Sequence, residues 1–187
     1  MMDVLTAIAT RRSIKRFSER AVTRGEIQIL LDAAAGAPNH RLTQPWRFYV
    51  LGPQARRAYG TVLGQRKAKR IDDPTVAEQV RSKVAAEHEA LPAMIAIAMS
   101  LDENPEVREE DYAACMMALQ NLCLAATASG LGTHIKTGGV MEDPGARVAV
   151  GVPSDQRIVA VVNVGEAQEL PTPKERTEAS SLTIWVP

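Results

Sequence analysis

Arg11, Ser13 and Lys15 alternate within the run Arg11-Arg12-Ser13-Ile14-Lys15-Arg16-Phe17. Side chains alternate across an extended backbone, so an extended chain would present all three along one edge. A guanidinium, a hydroxyl and an ammonium in a row make a receptor for a phosphate. The cations give charge-assisted hydrogen bonds, and the hydroxyl gives a neutral donor between them. Arg12 and Arg16 then project to the opposite side. Taken alone, such a run also describes a solvated basic turn with no ligand. No Ser-His-Asp or Cys-His arrangement competes with it, and Cys115 and Cys123 have no ligand-like spacing to His40, His88 or His134. A disulfide framework and a metal site are not expected, and a reducing compartment fits.

Composition says how an anion would have to be held. Lys and Arg number 22, as do Asp and Glu, for a formal net charge of +0. No overall field draws nucleic acid or an anionic membrane, so neither is expected as a partner and any bound anion needs a local cluster. The 187 residues suffice for one well-buried core and fall short of two ordinary domains, which makes residues 1–187 a single domain. With 45% hydrophobic and 24% charged residues, the chain has the make-up of a soluble globular protein. Residues 1–10 lack the basic start and small-residue cleavage site of a signal peptide, and no apolar run approaches a membrane span. The expected location is cytoplasmic.

The elements that must position the basic run follow from periodicity and punctuation. Residues 4–10 read as a short helix leading into it. A second helix begins after Thr23, where Glu26 completes a capping box. It carries Ile27, Ile29, Leu30, Leu31 and Ala34 largely on one face and stops at Gly36 and Pro38. A polar loop leads into a strand at 46–51, rich in aromatic and β-branched residues. A helix follows from about Gln54, and the charged stretch 65–89 reads as a solvent-exposed helical excursion covering an active site. Residues 94–99 read as a buried strand and 109–129 as a long core or interface helix, ended by Gly130-Leu131-Gly132. A strand at 133–136, a short helix capped by Asp143, and the strongest strand signal at 158–164 complete the core. The tail from Glu166 contains three prolines and ends in an apolar patch at 182–186. Such a tail is expected to wrap over a partner subunit. This order implies an α+β fold, a mixed central sheet flanked by helices. No Gly-rich loop follows the first strand, which disfavours a Rossmann site.

Read together, several segments resemble the nitroreductase family of FMN-dependent oxidoreductases, in particular a compact bacterial subgroup. They are the basic run, Ala37-Pro38-Asn39-His40 with Gln44-Pro45-Trp46-Arg47-Phe48, and Gly130-Leu131-Gly132-Thr133 followed by Gly138-Gly139. The strand ending at Val164-Gly165 and the tail with Lys174 and Arg176 look like that family's closing elements, so the likeness covers essentially the whole chain. It implies FMN as cofactor. Arg11, Arg12, Ser13 and Lys15 would meet the phosphate, the ribityl chain and the pyrimidine side of the ring. His40 would reach FMN from the partner subunit, and Gln44 would face the flavin. Ile135, Lys136 and Thr137 would run along the ring, and Lys174 and Arg176 would close on the phosphate.

The resemblance also implies a homodimer with FMN at the subunit interface, and NADH or NADPH as electron donor. Hydride would pass through flavin N5, in ping-pong fashion, to a nitroaromatic, quinone or similar small acceptor. No catalytic side chain is required, because the cofactor carries the redox chemistry. A cation near N1 and the C2 carbonyl, with Lys15 and Lys136 as candidates, would favour negative charge on the reduced ring. Two positions depart from the pattern: Leu42 stands where an Asn is usual, and Ile135 where an aromatic residue is frequent. Other outcomes on the same fold are another FMN-dependent dehydrogenation, an oxygen-dependent flavin reaction, or a non-catalytic FMN carrier. A structural domain that binds no flavin is a further one.

Individual residues carry their own expectations. His88 reads as a solvated helix residue, and His134 as either a structural residue or one lining the cleft. Trp46 belongs in the core, and Trp185 over the partner subunit. Met116 and Met117 read as core packing. Glu110 and Asp111 read as dipole partners at the start of the long helix.

Overall fold

The computed structural model describes residues 2–187. In chain order these form α1 (Val4–Thr10), α2 (Arg24–Ala35), β1 (Trp46–Val50), α3 (Pro53–Ala68), α4 (Pro74–Glu89), β2 (Ala93–Ser100), α5 (Pro105–Ala128), β3 (Gly132–Lys136), α6 (Pro144–Val150) and β4 (Gln156–Gly165). Local chemistry sets the helix ends. Thr23 and Glu26 close the expected capping box on α2, and Asp73, Asn104 and Asp143 cap α4, α5 and α6 through their side chains. Proline opens α3, α4, α5 and α6, where its missing N–H costs nothing. At the far end of α5, Gly130 adopts a φ of 76° and lets the Leu131 N–H donate to the Ala126 carbonyl at 2.8 Å.

The sheet has the order β1-β2-β4-β3, and every neighbouring pair is antiparallel. The expected mixed sheet is corrected in this respect. Its only parallel contact among the described residues is an isolated bridge between Ser13 and Thr133. The reason is topological. β2 and β3 are both antiparallel to β4 and so run parallel to each other, as a single-helix crossover through α5 dictates. β4 inserts between them, and no parallel ladder forms.

Two cores result, one on each face of the sheet. Ile95, Ile97, Met99 and Val162 pack with Leu30 of α2 and with Leu119 and Leu122 of α5. On the other face Met94, Ala96, Ala98 and Val161 pack with Tyr59 of α3 and Ala146 of α6. Ile97 pairs with Ala160 whereas Ala98 pairs with Ile158, leaving Val159 as the extra residue of a bulge. Trp46 is buried at the start of β1, as expected, and Met116 is half-buried against the core. Met117 turns outward instead.

The stretch 65–89 departs from a single exposed helix. α3 ends at Ala68, the chain reverses, and α4 lies along α3 with Val84, Ala85 and His88 buried. Gly60 and Gly64, one helical turn apart, make this approach possible. A Cβ on Gly60 would stand 2.7 Å from the His88 Cβ and 2.9 Å from the Val84 carbonyl oxygen. A Cβ on Gly64 would stand 2.9 Å from both the Cα and the carbonyl oxygen of Arg81.

The tail leaves β4 beside the basic run. Ser18 N–H donates to the Glu166 carbonyl at 2.9 Å, and Gln168 N–H donates to the Arg16 carbonyl at 3.1 Å. Beyond that point it crosses the surface with few anchors. Leu182, Ile184, Trp185 and Val186 all face outward, Trp185 being 90% exposed.

The close approach at Gly60 has a testable consequence. Alanine gains about 1 kcal/mol of helix propensity over glycine, but forcing a methyl group against backbone atoms costs about 1–3 kcal/mol. Gly60→Ala is therefore expected to lower the urea midpoint. Gly25→Ala in α2, whose Cβ would meet nothing within 4 Å, should leave it unchanged or raise it. Equal effects of the two changes would show that α3 and α4 do not pack this tightly.

Candidate functional site

The basic run is held by one buried side chain. Ile14 is 2% exposed, and a Cβ on Gly132 would lie 3.0 Å from the Ile14 Cβ, so the seat exists only opposite a glycine. Ile14 N–H donates to the Thr133 carbonyl at 2.8 Å, docking the run along β3. With Ile14 turned inward, Ser13 and Lys15 must turn outward. They open onto a cavity of about 810 Å³ whose lining includes Arg11, Arg12, Ser13, Lys15, Lys174 and Arg176. Arg12 was expected on the opposite side. Strict alternation begins only after Arg11, which is still the C-cap of α1, and the Arg12 guanidinium folds back to donate to the Ala9 carbonyl at 2.7 Å.

Five cations and a hydroxyl thus meet in one cleft, and the cavity is of the size that takes a drug-sized ligand. The cations come from opposite ends of the chain. Glu169 also lines the cleft and reaches Arg16 at 3.8 Å. Gln120 of α5 adds an amide that the sequence did not single out. The donor set fits a phosphomonoester: charge-assisted donors surround the space, and their mutual repulsion favours an anion between them.

Ile135, Lys136 and Thr137 do not line this cleft. Ile135 packs against the α2/α5 core, so His134 and Lys136 point to the other face of the sheet. The Lys136 ammonium lies 3.0 Å from Nε2 of His88, and the Nδ1 of that ring lies 2.7 Å from the Val84 carbonyl oxygen. A carbonyl only accepts, so Nδ1 carries the hydrogen and Nε2 is the bare acceptor for Lys136. His88, expected to be solvated, is 6% exposed and held as a neutral tautomer. Burial lowers its pKa, and the Lys136 charge lowers it further. Burial also lowers the Lys136 pKa, with Lys67 adding to the effect. Burial lowers the His134 pKa, and the charges of Lys136 and Lys15 lower it further.

His40 and Gln44 occupy a third place, the loop before β1. Arg41, Leu42 and Gln44 have φ values of 64°, 51° and 45°, the left-handed region for three non-glycine residues in four. Each such residue costs about 1–3 kcal/mol and persists only where surroundings dictate it. Here α5 dictates it. Glu110 takes the Arg41 Nε at 2.9 Å and His40 Nδ1 at 3.0 Å, and Asp111 accepts from the Thr43 hydroxyl. Asn39 Oδ1 accepts the Gln44 N–H at 2.6 Å. Arg41 and His40 hold the Glu110 carboxyl below its ordinary range. Because α5 begins at Pro105, Glu110 and Asp111 lie beyond its first turn and anchor the loop rather than serving the helix dipole.

The fold and cleft define a class: an α+β sheet protein whose basic N-terminal run and C-terminal tail line one cationic cleft. The chain belongs to the nitroreductase family, whose model matches residues 8–166. It is 31% identical to YfhC of Bacillus subtilis over 91% of this chain and 87% of that protein, which is named provisionally an NAD(P)H nitroreductase. YdjA of Escherichia coli K12, named in the same provisional way, is 32% identical over 89% of this chain and 90% of its own length. Among solved structures, a nitroreductase-like family protein from Bacillus cereus superposes with a TM-score of 0.84 at 28% identity, covering 100% of this chain and 97% of that one. A nitroreductase from Bacteroides fragilis, solved with bound FMN, shares the fold at a TM-score of 0.75 and 22% identity, covering 100% of both chains.

The neutral state of His88 predicts a pH dependence. In the unfolded chain the ring takes a proton near its ordinary value of about 6.5, whereas in the fold its pKa is lowered. The unfolded state therefore binds more protons as pH falls through that value, and stability falls with it. The thermal midpoint is expected to drop between pH 7.5 and 5.5. His88→Gln should flatten that slope, with a remainder from His134, which shifts in the same direction. Parallel slopes in the two proteins would mean that His88 titrates normally.

Proposed function

We propose that this protein is an FMN-dependent oxidoreductase that draws electrons from NADH or NADPH and delivers them to nitroaromatic, quinone or similar small acceptors. The observation that carries this reading is the cleft, where Arg11, Ser13 and Lys15 face Lys174 and Arg176. Membership of the nitroreductase family supports it. So do relatives named for NAD(P)H and nitro reduction and a structural neighbour solved with FMN.

Arg11, Arg12, Ser13, Lys15, Lys174 and Arg176 hold the phosphate end of the cofactor. The chain at Ile135, Lys136 and Thr137 runs along its ring, beyond the cleft that holds the phosphate. When bound, FMN supplies the hydride acceptance and donation that no side chain here can perform. The chain's own contribution is placement and charge. His88 fixes the Lys136 ammonium by accepting one of its three N–H bonds. Lys15 and Lys136 bias that region toward negative charge.

Two chains complete the site in this reading. α1 leaves Val4, Leu5 and Ile8 exposed, and the tail leaves Leu182, Ile184, Trp185 and Val186 exposed. A second copy covers these surfaces and brings its His40 and Gln44 to the ring. The strained loop of this chain serves the partner in the same way. Among the described residues no helix is long and apolar enough to cross a membrane, and both cysteines are free and buried. A reducing cytoplasm suits them.

The purified protein is expected to show flavin absorption bands that bleach on adding NADH or NADPH under nitrogen and return with a nitroaromatic or a quinone. A colourless protein that takes up no FMN would overturn the reading. Flavin that does not turn over with any acceptor would mark a carrier instead. Arg11→Ala is expected to weaken FMN binding about 10- to 100-fold, the worth of one charge-assisted hydrogen bond, with an unchanged far-ultraviolet spectrum. Unaltered flavin affinity would remove the phosphate assignment. Sedimentation of the flavin-loaded protein should give a dimer, and a fully loaded, active monomer would contradict the shared site.

A further inference from the structure

A second cationic hollow lies at the other end of β3. Arg66, Lys67, Lys69 and Arg70, with Leu63 and Val140, line a cavity of about 680 Å³ where the end of α3 meets the turn after β3. The turn is tight against it: Gly138 adopts a φ of 100°, and a Cβ on Gly139 would stand 3.0 Å from an Arg66 guanidinium nitrogen. Lys136, two residues before Gly138, feels the charge of Lys67. The hollow therefore adjoins the strand that the proposed function sets beside the flavin ring, and it is distinct from the phosphate cleft.

Helix electrostatics accounts for half of this cluster. Arg66 and Lys67 lie in the last turn of α3, where cations are favoured by the dipole. Lys69 is the C-cap and Arg70 lies beyond it. One carboxylate is committed here, since Arg66 reaches Asp143 at 3.2 Å, while Asp73 spends its side chain capping α4. Among the described residues, Lys67, Lys69 and Arg70 enter no ion pair. Such a set, crowded and unneutralised, is stabilised by a dianion.

We propose that this hollow binds the 2′-phosphate of NADPH and gives the protein a preference for NADPH over NADH. The inference rests on the proposed function, in which a pyridine dinucleotide reduces a flavin beside β3. The FMN phosphate has its own cleft, so the phosphate left for the α3 hollow is one carried by the electron donor. NADH and NADPH share their pyrophosphate and differ only in the phosphomonoester on the adenosine ribose. A receptor with Lys69 and Arg70 free presents both a point charge and a planar fork to that group.

The test uses the flavin-loaded protein and the double variant Lys69→Ala/Arg70→Ala. Calorimetric titration of the wild type with adenosine 2′,5′-bisphosphate should give tighter binding than adenosine 5′-monophosphate. The double variant should lose that difference, about tenfold for each cation removed. In parallel, the ratio of kcat/KM for NADPH over NADH should fall at least tenfold, and Arg70→Lys should retain most of it. Equal affinity of the wild type for the two nucleotides would overturn the proposal. So would an unchanged ratio in the double variant, or an equal loss with both dinucleotides, which would assign the hollow to the pyrophosphate. Wild-type protein that holds no flavin would sink the oxidoreductase reading, and the nucleotide titration would still decide what the hollow binds.

Discussion

Ile14 in the seat opposite Gly132 is the contact on which the rest of the site depends. A buried side chain at one position of an extended segment forces its neighbours outward. Ser13 and Lys15 have no other direction available once Ile14 is inside. Any side chain at position 132 would lift the run off β3, because the displaced atoms belong to a branched side chain already enclosed. The hydrogen bond from Ile14 N–H to Thr133 then fixes the run along the strand. The tail depends on the same seat. It leaves β4 by bonding to Arg16 and Ser18, so Lys174 and Arg176 reach the cleft through a path anchored on the run they face.

Much of this was legible because it is written in local chemistry. The Thr23–Glu26 pair, the Asp143 cap and the glycine after α5 are short-range devices, and each set an element's end where expected. The alternation of Ser13, Ile14 and Lys15 is equally local. Sheet order is not. Nothing near β2 or β3 says that β4 will come between them, because that is settled by which strand buries the most apolar surface. β4 has that property, with its residues from Ile158 to Gly165 all buried.

The misreading of His88 has a different origin. It lies in a charged helix whose own pattern suggests solvent, and its burial is imposed by α3. Gly60 and Gly64 at four-residue spacing were the available signal, since small residues one turn apart let a second helix approach until side chains on it are enclosed. The loop at 39–45 hid its strain more completely. It contains no glycine, so the left-handed backbone at Arg41, Leu42 and Gln44 has no sequence mark. The energy that holds it comes from Glu110 and Asp111, far along the chain. Of the segments that the family likeness singles out, the cleft gathers only those from the two ends of the chain.

Charge links these regions into one pattern. The protein has a formal net charge of +0, yet its cations are unevenly spread. Lys15 and Lys136 both act on His134, and Lys67 acts on Lys136 and His88. A band of positive charge therefore runs from the cleft across β3 to the end of α3. Within it the two histidines are pushed toward neutrality, so they add hydrogen-bonding capacity without adding to the repulsion. Burial makes that repulsion costly, since charges in a low-dielectric setting are poorly screened. A band of this kind is held together by its anchors, and an anion at either end would relieve its repulsion. An aromatic ring system bearing little charge can lie between them. That division explains why a chain with no Ser-His-Asp or Cys-His arrangement can still be built for redox chemistry: its side chains set where charge is welcome, and the bound group does the rest.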